Sequence, residues 1–186
     1  FIQDPLGNIT SYTYDNNGLM ASMRDPKGNA TYYEYDAFGN LIKVSEPQGR
    51  ITYYTYDGVD NRTSMTDPNN NTTYYTYDPL DRLTQITNPD NTTIQYEYDC
   101  CNLVKKIDEK DQATTYEYDA MNRLTKVTDA KGNITQYTYD NVGNRLSMTD
   151  AKGNTTSYTY DKANHLTQVI YPDGTYEVYM YDKIGN

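Results

Sequence analysis

Short stretches in which aromatic or β-branched residues alternate with polar ones recur along this chain at a fixed interval, separated by clusters of Asp, Asn, Pro and Gly. Thr31, Tyr33 and Tyr35 would face one side of an extended segment, with Tyr32 and Glu34 on the other, and Thr135, Tyr137 and Tyr139 repeat the pattern. A period of two describes a strand covered on one face. Each such segment ends in Tyr-Asp: Tyr14-Asp15, Tyr35-Asp36, Tyr56-Asp57, Tyr77-Asp78, Tyr98-Asp99, Tyr118-Asp119, Tyr139-Asp140, Tyr160-Asp161 and Tyr181-Asp182. Successive pairs lie 21 residues apart, except for one interval of 20 between Tyr98 and Tyr118. A second tyrosine stands two places before each pair, so the nine motifs hold 18 of the 23 tyrosines. The aromatic content therefore belongs to a repeat.

Two turns punctuate each repeat. Three residues after the motif aspartate stand Gly18, Gly39, Asp60, Asp81, Asn102, Asn122, Gly143, Asn164 and Gly185. These are the three residue types that best tolerate positive φ. The second turn reads Asp25-Pro26-Lys27-Gly28 or a variant of it, closing on Gly7, Gly28, Gly49, Asn70, Asn91, Asp111, Gly132, Gly153 and Gly174. Asp or Asn at the first place can bond the turn backbone, Pro presets φ at the second, and Gly, Asn or Asp accepts the left-handed fourth. Loops of this kind join antiparallel strands.

Between the first turn and the second, an apolar residue recurs eight places after the motif aspartate, at Met23, Val44, Met65, Ile86, Ile107, Val127, Met148 and Val169. A partner lies three places earlier at Leu41, Leu83, Val104, Leu124 and Leu166. A spacing of three does not fit a regular strand, and the segment is too short for a helix, so it predicts a bulge or an inward tuck. The chain is thus expected to be all-β, a repetitive antiparallel hairpin meander with two strands per repeat. About eighteen strands would make a strip roughly 85 Å wide, which twist would wind into a spiral, shell or tube. Phe1 and Asn186 both fall inside a repeat, so residues 1–186 are expected to be one tandem array of about nine units within a longer chain.

Composition narrows the function. A hydrophobic fraction of 36% and a mean hydropathy of −0.94 provide little for a globular core, yet tyrosine and β-branched residues at fixed phase argue for sheet rather than disorder. No apolar run approaches the roughly 20 residues of a membrane span. A net charge of −10 and a pI near 4.4 repel phosphates, so no nucleic-acid partner is expected.

Candidate chemistry is sparse. The motif aspartates recur in every repeat, whereas a catalytic centre brings together unlike groups with separated pKa values; turn capping explains them. Asp- and Asn-rich turns offer oxygen ligands for calcium, but the spacing matches neither an EF-hand loop nor a glycine-rich nonapeptide. His165 occupies a column filled elsewhere by Asn40, Asn61, Arg82, Leu103, Arg123 and Asn144, which describes a solvated strand-edge residue. Cys100-Cys101 replaces variable turn residues in the short repeat, with two thiols, a vicinal disulfide and pairing with another chain as the alternatives. Asn-x-Thr triplets at Asn8, Asn29, Asn61, Asn70, Asn71, Asn91, Asn133 and Asn154 arise from a turn followed by a strand threonine. No catalytic residue, metal or cofactor is assigned.

The unit Tyr33-Glu34-Tyr35-Asp36-Ala37-Phe38-Gly39-Asn40-Leu41, followed by Asp-Pro-x-Gly-Asn-x-Thr, resembles the YD repeat of the Rhs (rearrangement hotspot) family over essentially the whole chain. That family includes bacterial polymorphic toxins, wall-associated proteins, the shells of insecticidal toxin complexes and teneurins. The resemblance implies a β-sheet strip wound into a hollow cocoon, hence containment or display without catalysis, outside a bacterial cell or on its surface. The implied partners are neighbouring repeats, further copies of the chain and an enclosed toxin domain. The alternative is a module that stacks rows of tyrosines on cell-surface glycans.

Overall fold

The computed structural model describes residues 1–182. Gly185, expected at the ninth first turn, lies outside them. Two compact units divide the chain, Phe1–Ile94 and Gln95–Asn186.

The first unit contains β1 (Ile2–Gln3), β2 (Ile9–Tyr14), β3 (Met20–Arg24), β4 (Ala30–Tyr35), β5 (Leu41–Ser45), β6 (Ile51–Tyr56), β7 (Arg62–Thr66), β8 (Thr72–Tyr77) and β9 (Leu83–Thr87). Each strand pairs antiparallel with its neighbours in sequence. The second unit opens within β10 (Thr93–Tyr98) and continues through β11 (Leu103–Ile107), β12 (Ala113–Tyr118), β13 (Leu124–Thr128), β14 (Ile134–Tyr139), β15 (Arg145–Thr149), β16 (Thr155–Tyr160), β17 (Leu166–Ile170) and β18 (Tyr176–Val178). It follows the same meander. The protein is therefore all-β, with two strands per repeat. Among the described residues no helix is long and apolar enough to cross a membrane.

The bulge read from the sequence is present. Tyr32 faces Ser45, Tyr33 faces Val44 and Glu34 faces Lys43, but Tyr35 faces Leu41, leaving Ile42 without an opposite number. Directly opposed residues share a face. Tyr33 and Tyr35 therefore bring Val44 and Leu41 to one side although these lie three apart. The same shift recurs at every Tyr-Asp hairpin from β2–β3 to β16–β17 within the two units.

Both turns of the repeat share one geometry. The Asp36 N–H donates to the Asn40 carbonyl (3.0 Å), and Gly39 N–H donates to the Asp36 carbonyl (3.2 Å); at the second turn Asp25 and Asn29 pair at 2.9 Å and Gly28 bonds Asp25 at 3.0 Å. This is a three-residue loop, a reverse turn followed by one left-handed residue. Gly7, Gly18, Gly28, Gly39, Gly49, Gly132, Gly143, Gly153 and Gly174 all take positive φ, as do Asp60, Asn70, Asp81, Asn91, Asp111, Asn122 and Asn164. Pro47–Gly49 tightens into a single 3-10 turn in which Gln48 (φ 64°) is left-handed as well.

The short repeat departs from the expected alignment. Asn102 does not take positive φ; Asp99 N–H donates instead to the Asn102 carbonyl, giving a loop of only two residues, Cys100 and Cys101. The left-handed residue is the one deleted. Tyr98 then faces Leu103 and Tyr96 faces Lys106. Leu103 and Lys106, not Val104 and Ile107, occupy the columns of Leu41 and Val44, and Asn102, not Leu103, stands in the column of His165.

Among the described residues only Val169 and Ser64 are buried. The strands are half-buried on the face of Tyr33 and Tyr35, in the alternation shown by β4, β6, β8, β10 and β12.

Candidate functional site

What recurs is a lattice of bonds joining each repeat to the one before it. The motif aspartate anchors one end. The Oδ1 of Asp36 accepts from Phe38 N–H and Asn40 N–H, both at 2.9 Å, and its Oδ2 accepts from the Asn40 side chain (3.2 Å). Asp57, Asp78, Asp119, Asp140 and Asp161 receive the same pair of backbone donors. Where Asn is replaced, the substitute also reaches Oδ2: Arg82 and Arg123 through Nε at 2.7 Å, and His165 through Nδ1 at 3.1 Å. His165 is therefore a turn-capping residue whose ring also lies 4.8 Å from that of Tyr181. Hydrogen bonds to the ionised form hold these carboxyls low. For Asp119 the main cause is the Arg123 N–H, and for Asp129 and Asp150 it is the side-chain amide of Asn133 or Asn154.

Asn40 does more than close its own turn. Its Nδ2 also reaches Asp60 Oδ1 in the next repeat at 2.6 Å, and Asn61 reaches Asp81 at 2.8 Å. Asn102 bonds Asn122, and Asn144 bonds Asn164, both at 2.9 Å. The non-glycine residues at positive φ in the Tyr-Asp turns, Asp60, Asp81, Asn122 and Asn164, are thus acceptors in a ladder along the turn edge. That contact offsets the cost of a left-handed conformation in a residue with a Cβ.

The second motif tyrosine makes the other connection. The hydroxyls of Tyr35, Tyr56, Tyr77, Tyr118, Tyr139, Tyr160 and Tyr181 donate at 2.9–3.1 Å to the carbonyls of Met20, Leu41, Arg62, Leu103, Leu124, Arg145 and Leu166, each fifteen residues earlier. Strand pairing between repeats covers only the far end of each hairpin, as in Ser22–Tyr32, Met23–Thr31 and Arg24–Ala30. The hydroxyl bridges the part where the ladder has stopped. Burial pushes the Tyr35, Tyr56, Tyr77, Tyr118 and Tyr160 hydroxyls up, keeping them protonated as donors. Arg62 and Arg145 stand in the Leu41 column and lay their guanidinium groups 4.7 Å from the Tyr75 and Tyr158 rings.

The opposite face carries one polar cross-strand pair per repeat. Thr13–Ser22, Thr55–Ser64 and Thr138–Ser147 share hydrogen bonds of 2.6–2.7 Å, while Glu34–Lys43, Glu97–Lys105 and Glu117–Lys126 form ion pairs of 2.7–2.8 Å. Sequence reasoning missed this column, although its signal is legible: wherever the strand has Glu, its partner has Lys. Of the five tyrosines outside the motif, Tyr32, Tyr53 and Tyr74 form a row on this face, 53%, 47% and 55% exposed.

Among the described residues, no group of three or more His, Cys, Asp or Glu side chains converges. Open grooves lie between adjacent turns, one of about 400 Å³ at the second turns lined by Lys106, Asp108, Tyr116, Asp129 and Lys131, and another at the first turns of Asp57 and Asp78. A model of the RHS repeat matches residues 2–30, 35–73, 59–93, 77–99, 102–134, 122–155 and 139–176. The chain belongs to the RHS repeat family. No curated protein matches the sequence. Its fold is similar to that of several solved structures. One is TcdB2-TccC3-Cdc42, at a TM-score of 0.62 and 18% identity over 95% of this chain and 12% of that one. A second is the Tc holotoxin pore of Photorhabdus luminescens, at 0.62 and 19% over 95% and 12%. TcdB2-TccC3 without its hypervariable C-terminal region follows at 0.54 and 18% over 95% and 10%. The chain thus spans about an eighth of the length of the first two.

Proposed function

We propose that this RHS-repeat sheet is a stretch of wall in a larger secreted bacterial protein, a non-enzymatic strip that encloses or displays a toxin domain carried by the same assembly. One observation carries the reading: bonding is spent on joining repeat to repeat, through the tyrosine hydroxyls and the Asn ladder, and not on a core or a pocket. Stability in such an array is a sum of repeat and neighbour terms, so it extends by adding units. The similarity to Tc toxin chains eight to ten times its length fits a segment of a longer shell. Its net charge of −10 fits a wall exposed to water and separates it from nucleic acid. Electron microscopy of the full-length protein, with protease treatment in parallel, tests the proposal. Closed hollow particles that protect an internal fragment support it. Open tubes or fibres favour surface display by further copies, and compact solid particles overturn both.

A second reading, glycan binding, is favoured by the Tyr32, Tyr53 and Tyr74 row. Each ring is flanked on neighbouring strands by groups able to bond hydroxyls: Ser22 and Ser45, Lys43 and Thr66, Ser64 and Thr87. The motif tyrosines are poorer candidates, since most are half-buried and those next to the aspartate have their hydroxyls engaged from Tyr35 onward. Replacing the three rings with Ser should abolish retention on neutral glycan arrays if this reading holds.

A further inference from the structure

The one irregular turn of the array places two exposed thiols side by side: Cys100 Sγ and Cys101 Sγ lie 2.9 Å apart without a disulfide between them. The loop that presents them is one residue shorter than the corresponding loops. It is held by Asp99, whose Oδ1 accepts the N–H of Cys101 (2.7 Å) and of Asn102 (2.6 Å). We propose that Cys100-Cys101 is a reversible dithiol–disulfide site that reacts with low-molecular-weight disulfides and, on closing, releases this turn.

The chemistry is a two-step exchange. The thiolate of one cysteine attacks a disulfide RSSR, forming a mixed disulfide and expelling RS⁻. The neighbouring thiolate then attacks the protein sulfur of that mixed disulfide and expels the second RS⁻. Two protein S–H bonds are lost, one S–S bond forms, and the two protons end on the departing thiols. The protein loses two electrons and RSSR gains them. Adjacency favours the second step over capture by another chain, because the resolving sulfur is already within reach.

Closure has a structural consequence. Adjacent Cα atoms stand about 3.8 Å apart across a trans peptide, inside the roughly 4.4 Å lower limit of ordinary disulfides. The ring therefore includes the Cys100–Cys101 peptide and forces it to rotate, taking the Cys101 N–H away from Asp99. A bond formed under such constraint is readily reduced, so the couple is reversible under mild thiols. Asp99 is the group that reads the redox state, since it loses a turn donor when the ring closes.

The test treats the reduced protein with glutathione disulfide and follows intact mass, maleimide uptake and amide exchange. The expected product is a monomer lighter by two hydrogens that takes up no maleimide, exchanges faster at Cys101 and Asn102, and returns to the starting state with dithiothreitol. Of Cys100→Ser and Cys101→Ser, the variant that keeps the attacking sulfur should instead hold one stable glutathione adduct, showing that the sulfur it lacks resolves the mixed disulfide. Stable glutathione adducts on the wild-type chain, disulfide-linked dimers, or two serine variants that both take up no glutathione would each overturn the site. A closed ring with unchanged exchange at the turn would overturn its coupling to Asp99.

Discussion

The hydroxyl of Tyr56 donates to the carbonyl oxygen of Leu41 at 2.9 Å, across the boundary between two repeats and where their strands no longer share a ladder. Removing only that hydroxyl should leave the packing of the ring intact and strand one half-buried carbonyl. Tyr56→Phe is expected to cost about 0.5–1.5 kcal/mol. Tyr14, which holds the same place as Tyr56 in the first repeat, is 62% exposed, so Tyr14→Phe should be silent. Denaturant titration of the two variants checks this, and equal costs would mean that the hydroxyl does not couple repeats.

The turn carboxylates set the response to acid. Asp119, Asp129 and Asp150 are held below the usual aspartate value by hydrogen bonds that only the native turn provides. A depressed native pKa means that the unfolded chain binds more protons, so stability rises with pH until the unfolded aspartates have ionised. The contribution is complete above about pH 5 and is lost as pH falls through the lower native values. Circular dichroism between pH 2 and 7 should show a flat plateau above about pH 5 and a steep, many-proton loss below about pH 4. Equal thermal stability at either end of that range would show that the carboxylates do not organise the turns.

Gly143 has φ 102°, and a Cβ built there meets nothing within 4 Å. Any penalty for Gly143→Ala is therefore backbone strain alone, on the order of 1–2 kcal/mol. Asp60→Gly tests the converse, because it relieves a left-handed residue (φ 67°) but deletes the acceptor of Asn40. The ladder is worth having if Asp60→Gly fails to stabilise the protein in thermal melts.

How much of this was legible follows from the register of the repeat. The strand ending at Tyr35, the turn at Gly39 and the bulge between Leu41 and Val44 are written in period and residue type, because each needs a local property: alternation, positive φ, or two apolar residues brought to one face. The links between repeats were not legible. Tyr56 and Leu41 sit fifteen residues apart, and nothing in either residue type announces a hydroxyl-to-carbonyl bond. The role of His165 is hard to read because counting from Asp99 puts Leu103, not Asn102, in its column. Counting from Asp99 misplaces everything downstream of a deletion until the chain reaches the next motif, and only strand pairing shows which residue is missing.

That deletion supplies the sharpest test of register. In the other repeats the residue opposite the first motif tyrosine is apolar, as Val44 is to Tyr33 and Met65 to Tyr54. In the short repeat Lys106 holds this place opposite Tyr96, its ammonium 5.9 Å from the ring, while Ile107 turns to the polar face opposite Gln95. Lys106→Val should restore the aromatic to β-branched pair and stabilise the chain by about 0.2–1 kcal/mol. Ile107→Thr should cost little, since Thr66 and Thr128 occupy the equivalent place in other repeats. Urea titration of the two variants distinguishes the alignments. A costly Ile107→Thr with a neutral Lys106→Val would return Ile107 to the tyrosine face and place the missing residue beyond Asn102.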